Sequence, residues 1–136
     1  MLNYITPPED LKSEALKIQE FLEITCSEQP EEVVERGNDL AVYIARTGKM
    51  LADAKHFQDQ RKKDSIMIQL KEIGKGTKIP ASTLNDLITA SCKEENYLVT
   101  WIDRLNRSAT HQMDWCRTLV SKSKEEMRLS QGMNQK

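Results

Sequence analysis

Apolar positions along this chain recur at helical steps, and no stretch sustains the period-two alternation of a strand. Leu11, Ala15, Ile18 and Leu22 follow at steps of four, three and four and form one stripe. Thr6 and Glu9 have capping-box spacing around Pro7 and Pro8, which predicts a first helix from about Pro8 to Ile24. The chain then turns through Cys26-Ser27-Glu28-Gln29, and Pro30 opens a second helix with no proline from Glu31 to Ile73. Its apolar positions Val33, Leu40, Ile44 and Leu51 run beside a row of small residues, Gly37, Ala41, Ala45, Gly48 and Ala52. Each interior glycine weakens a helix by about 1 kcal/mol relative to alanine. Two of them on one row therefore predict a closely packed neighbour on that face. The polar run His56–Asp64 is either a solvated part of this helix or a break in it.

Gly74-Lys75-Gly76-Thr77-Lys78-Ile79-Pro80 reads as a connector between helices. It lacks phosphate-loop spacing and follows no strand pattern, so it is not read as a phosphate cradle. From Ala81 to Gln131 there is neither Pro nor Gly. Leu84, Ile88, Leu98, Ile102, Leu105, Ala109, Met113, Cys116, Val120 and Met127 share one side at helical spacing. Ser91 and Glu95 interrupt that stripe, which predicts a division near Cys92–Asn96. The expected fold is all-α, a single domain over residues 1–136, with a short N-terminal helix and then two long helices, whole or broken. Fifty helical residues would span roughly 75 Å, against a radius of gyration of about 14 Å for a compact chain of this length. With only seven aromatic residues to fill a core, the bundle is expected to be completed by homo-oligomerisation.

Composition narrows the class without naming an activity. Twenty Lys and Arg against 21 Asp and Glu leave a net charge of −1, which disfavours a nucleic-acid coat needing a broad basic face. Five Gly and four Pro are too few for a turn-rich or disordered chain. No apolar run approaches the roughly 18–20 residues of a membrane span, and Met1–Asp10 lacks the pattern of a signal peptide. Cys26, Cys92 and Cys116 are an odd set without C-x-x-C spacing, read as free thiols of a reducing cytoplasm.

The charge is unevenly placed. Lysine and glutamate number 13 each, yet neither occurs between Tyr97 and Ser121 or between Arg36 and Gly48. Five of the seven arginines lie in these two windows. Lysine and glutamate are the usual residues of a solvated helical face, whereas arginine offers a planar donor fork suited to phosphate or carboxylate. Thr100, Arg104, Arg107, His111, Asp114, Thr118 and Ser121 follow at alternating steps of four and three, a stripe roughly opposite the apolar one. Such a stripe suits an oligomer interface, a ligand pocket formed at one, or a plain surface laced with Arg–Asp pairs.

No catalytic residue is expected. His111 and Asp114 have a spacing that could orient an imidazole, but no nucleophile or second acid completes a recognisable signature. His56 and His111 are the only histidines, and neither belongs to a paired metal motif, so neither metal nor cofactor is expected.

Tyr43-Ile44-Ala45-Arg46-Thr47-Gly48-Lys49-Met50-Leu51-Ala52-Asp53-Ala54-Lys55 resembles a segment of small proteins encoded by tailed phages and prophages. So does Trp101-Ile102-Asp103-Arg104-Leu105-Asn106-Arg107, continuing through Thr110-His111, Asp114, Arg117-Thr118 and Ser121 to Lys124-Glu125-Glu126. The resemblance covers about half the chain and implies an all-helical phage product, placed in the cytoplasm of an infected bacterial host. A looser likeness, in size, helicity and arginine placement, is to helical phage proteins that oligomerise and sequester nucleotide signals of bacterial immunity.

The leading expectation is a non-enzymatic oligomer that captures a small phosphorylated ligand, of cyclic-nucleotide or ADP-ribose type. Arg104, Arg107 and Arg117, with Arg46 from a neighbouring helix, would contact phosphate. His111, Thr118 and Ser121 would supply orienting hydrogen bonds, and Trp101, Trp115 or Tyr43 would stack on a base. The alternatives are a structural or protein-interaction module, and an accessory protein that binds single-stranded nucleic acid by stacking and arginine contacts.

Overall fold

The computed structural model describes residues 4–134. Four helices follow in order: α1 Pro8–Leu22, α2 Pro30–Gly74, α3 Ala81–Ser91 and α4 Lys93–Asn134. The described residues contain no strand. The chain is therefore all-α, as its periodicity predicts, and the expected third helix divides at Cys92 into a short and a long one. No described helix is long and apolar enough to cross a membrane.

α2 and α4 form an antiparallel pair of unusual length, about 67 and 63 Å at 1.5 Å per residue. Bonds between them climb one helix while descending the other. Arg36 meets Gln112, Thr47 meets Asn106, and Gln58 meets Asn96. On α4 the buried seam is Leu98, Ile102, Leu105, Ala109, Cys116 and Leu119, with half-buried Gln112 filling the place between Ala109 and Cys116. On α2 it is Val33, Arg36, Leu40, Thr47, Met50 and Ala54. With half-buried Tyr43 filling the place between Leu40 and Thr47, both sets run at alternating steps of three and four, the spacing that keeps a seam facing its partner along two long helices.

α1 lies along this pair, antiparallel to α2 and parallel to α4. Leu11, Ala15, Ile18 and Leu22 are all buried, so the expected stripe is the packed face. The helix ends at Leu22 rather than Ile24, where the Glu23 and Ile24 N–H groups bond to the Gln19 and Phe21 carbonyls. Thr6 does not cap it, for Pro7 occupies the cap position. The Thr6 N–H instead donates to buried Asp53 at 3.0 Å, which ties the segment before α1 to the middle of α2.

α2 does not break at His56–Asp64. The residues there are mostly good helix formers, and two of them grip the helices that follow, α3 and α4. Gln58 bonds Asn96 at 2.7 Å, and Arg61 donates to the Ser91 carbonyl at 3.0 Å. The helix stops in a Schellman motif, with Gly76 N–H to the Ile73 carbonyl and Thr77 N–H to the Glu72 carbonyl. Gly76 sits there at φ +95°, where a side chain would be strained.

One packing expectation fails. The row Ala41, Ala45, Gly48 and Ala52 is exposed, and a Cβ added at Gly48 would meet nothing within 4 Å. Gly37 alone approaches α4, with Met113 Sδ and Cys116 Cβ about 4 Å from such a Cβ. The row was read as a contact face because small side chains permit close approach. In this fold the contact face lies elsewhere, and two of its members on α2, Arg36 and Thr47, are polar.

Candidate functional site

α4 presents its seam to α2, so positions on its far side face solvent. Thr100, Arg104, Arg107, His111, Asp114, Thr118 and Ser121 are all exposed, which realises the expected stripe as one continuous outer face. Arg107 Nε lies 3.1 Å from Asp103, and Arg117 lies 3.5 Å from Asp114. These pairs are within one helix and open to water, where each is worth only a few tenths of a kcal/mol. The Thr118 hydroxyl donates to the Asp114 carbonyl, one turn back. Arg104 makes no ion pair among the described residues.

The other arginine window serves a different contact. Arg46 grips Glu14 of α1 through two nitrogens at 2.6 and 2.7 Å, and donates to the Thr6 hydroxyl at 3.0 Å. The hydrogen bonds with Glu14 raise its pKa further, against the opposing effect of burial. Arg36 is buried, lies 4.1 Å from the centre of the Phe21 ring, and donates to Gln112 Oε1 at 2.7 Å. Gln112 passes the link on, its Nε2 donating to the Leu22 carbonyl at the end of α1. Tyr43 packs against Phe21 at 4.8 Å between ring centres. Arg46, Arg36 and Tyr43 thus brace α1 against the α2–α4 pair.

The middle of α2 adds a second buried polar cluster. Asp53 accepts from the Thr6 N–H and from Lys49 Nζ, the latter at 2.5 Å. Burial alone would raise its pKa, but the hydrogen bonds from Lys49 and Thr6 outweigh that and hold it below the ordinary carboxylate value. Asn106 of α4 donates to Thr47 and to the Ile44 carbonyl, closing the seam opposite. Cys116 is pushed up chiefly by burial, and also by the neighbouring Cys26 thiol.

Of the ten residues expected to bind a ligand, two share a cleft. A hollow of about 510 Å³ between α1 and α4 is lined by Gln19, Glu23, Tyr97, Trp101, Arg104 and Ser108, among others. Trp101 is fixed there by its indole N–H, which donates to Gln19 at 3.1 Å. Trp115 lines a separate hollow of about 290 Å³ with Arg36, Cys26 and Cys116. Arg46 lines a third, beside Thr6 and Glu14. Arg107, His111, Arg117, Thr118 and Ser121 lie on the outer face of α4, away from Arg46 and Tyr43. No group of three His, Cys, Asp or Glu among the described residues could hold a metal ion.

Sequence reasoning missed Gln19, Tyr97, Asn106 and Gln112. The signal for Gln112 is visible afterwards: it occupies a three-four seam position where an apolar residue would be usual. Comparison with known protein families, with curated proteins and with solved structures finds no match.

Proposed function

We propose that this chain is a non-enzymatic helical module that works by self-association, the structural and protein-interaction role that its long helices suit. One observation carries the reading: both ends of the long helical pair leave large apolar side chains uncovered. Ile66, Met67, Leu70 and Ile73 are exposed at one end, and Met127, Leu129 and Met133 at the other. Exposed apolar groups clustered on helices mark surfaces that another protein covers. Sedimentation velocity over about 2–200 µM tests this, since association strengthens with protomer concentration. A weight average rising above the monomer mass supports self-association; a monomer throughout overturns it. In the phage reading the module acts in the cytoplasm of an infected bacterium.

A second reading keeps the small phosphorylated ligand. Arg104 favours it, as a guanidinium without an ion pair among the described residues that shares a cleft with the Trp101 indole. A fixed ring beside an uncommitted fork suits a nucleotide, which presents a planar base and an anionic phosphate. A calorimetric screen of cyclic and ADP-ribose-type nucleotides against wild type and Arg104→Ala tests it. Binding that Arg104→Ala abolishes supports the site; heatless titrations with folded protein remove it.

A further inference from the structure

The loop between α1 and α2 turns one side chain inward. Of residues 23–29, only Cys26 is half-buried; the others are exposed, Ile24 at 61%. The loop thus covers a thiol while leaving a larger apolar side chain in water. Cys26 Sγ donates to the Ser27 carbonyl at 3.2 Å and approaches the Glu32 carbonyl, in the first turn of α2, at 3.8 Å. It lines the hollow of about 290 Å³ that Cys116 of α4 also lines.

Chain direction explains the meeting. α1 runs parallel to α4, and Gln112 donates to the Leu22 carbonyl at the end of α1. Cys26 lies four residues beyond Leu22, and Cys116 four residues beyond Gln112. Loop and helix advance the same way, so both thiols reach one hollow. α2 confines them from the other side: Cys26 lies beside Glu32, and Cys116 Cβ is 4.0 Å from where a Cβ on Gly37 would stand. Cys92 is wholly buried, and it lies roughly 35 Å back from Cys116 at the start of α4.

We propose that Cys26 and Cys116 form a dithiol site, which a small disulfide such as glutathione disulfide oxidises to an intramolecular bridge between the α1–α2 loop and α4. Cys26, the partly open thiol, is the point of attack. Its thiolate bonds to one sulfur of the disulfide, and the other leaves with the electron pair of the broken S–S bond. Cys116 then gives up its proton and attacks Cys26 Sγ, expelling the second small thiolate. Two protein thiols become one disulfide, one small disulfide becomes two thiols, and the two protons go to the products. Burial, with the Cys26 thiol, makes Cys116 harder to ionise than an ordinary thiol, while the positive charge of Arg36 in the same hollow works the other way. A disulfide needs Cα atoms about 4.4–6.8 Å apart. The loop supplies the closing movement, since the side-chain bonds of Cys26 and Ser27 that hold it are exposed. The bridge would close a long segment of chain, the case in which a cross-link most constrains the unfolded state.

Full-length wild type, Cys92→Ser and Cys26→Ser are equilibrated while folded with stepped ratios of oxidised to reduced glutathione, acid-quenched, alkylated and mapped by peptide mass spectrometry. Wild type and Cys92→Ser are expected to lose two thiols and two hydrogens in mass, and to yield a Cys26–Cys116 peptide. Their urea midpoint should rise on oxidation and return with reductant. Cys26→Ser should keep Cys92 and Cys116 reduced. A glutathione retained on Cys26, a bridge between two chains as the main product, or pairing that includes Cys92 each overturns the proposal. So does a folded chain that keeps all its thiols at ratios that oxidise the same chain unfolded in urea.

Discussion

The body of the molecule and the arm that projects from it, α2 beyond Phe57 with all of α3, are both helical yet obey different rules. In the body, α1 covers the α2–α4 pair and the seam holds Leu40, Met50, Ile102 and Ala109 with almost no exposure. Buried polar groups there all have partners: Arg36 with Gln112, Thr47 with Asn106, and Asp53 with Lys49 and Thr6. In the arm, α2 continues at full helicity while its apolar residues face outward and α3 buries none. Helix formation therefore does not measure packing. A long helix started in a core can run on into solvent, since extending it costs less than nucleating it. What the arm lacks is the third helix that α1 provides in the body.

The largest expected contrast comes from trimming one isoleucine in each region. Ile102→Ala should cost about 2–5 kcal/mol by chemical denaturation, because it empties a fully packed seam position. Ile66→Ala should change stability by under about 0.5 kcal/mol at dilute protein, since its side chain is already half in water. Equal costs would erase the distinction.

Asp53→Ala should come next, at about 1–3 kcal/mol, because it strands the buried Thr6 N–H without an acceptor. The same residue sets a pH dependence. Its folded pKa lies below the ordinary value near 4, so its stabilising contribution is full above that value and is lost as pH falls through the folded one. Wild-type stability should fall more steeply below about pH 4 than that of Asp53→Asn, as followed by urea melts at stepped pH.

Gly76→Ala should act on the arm alone. Holding alanine in the left-handed region costs about 1–2 kcal/mol, and the expected readout is faster amide exchange near Ile73–Leu84 with little shift in global unfolding. At the bottom of the scale, Arg117→Ala should alter stability by under about 0.5 kcal/mol, because its pair with Asp114 is exposed. A larger loss would mean that the outer face of α4 is braced by more than this pair.

Much of the fold was legible in the residues. The α1 stripe packs as its spacing predicts, Cys92 divides the third helical run, and Gly74–Pro80 is the connector. The outer stripe of α4 was legible too, since every residue placed on it is exposed. The α2 seam was not. Val33 and Leu40 belong to it, but Arg36 and Thr47 do as well, Asp53 is buried beside it against the segment before α1, and hydropathy assigns those three to water. Their burial depends on Gln112, Asn106 and Thr6, which lie between 47 and 76 positions away in the chain. Likewise, nothing in the spacing of Arg46 distinguishes a phosphate contact from its grip on Glu14.

By itself the sequence determined what is local: helical period, helix ends, and the side of α4 that faces away from the core. Those follow from backbone bonds and side-chain neighbours within about one turn. Only the tertiary structure decided which polar groups are buried, which arginines are occupied, and where the apolar surface goes uncovered. Those depend on which helices cross. A buried charge is tolerable only where a remote residue brings it a partner, and an apolar stripe is a core only where another helix reaches it.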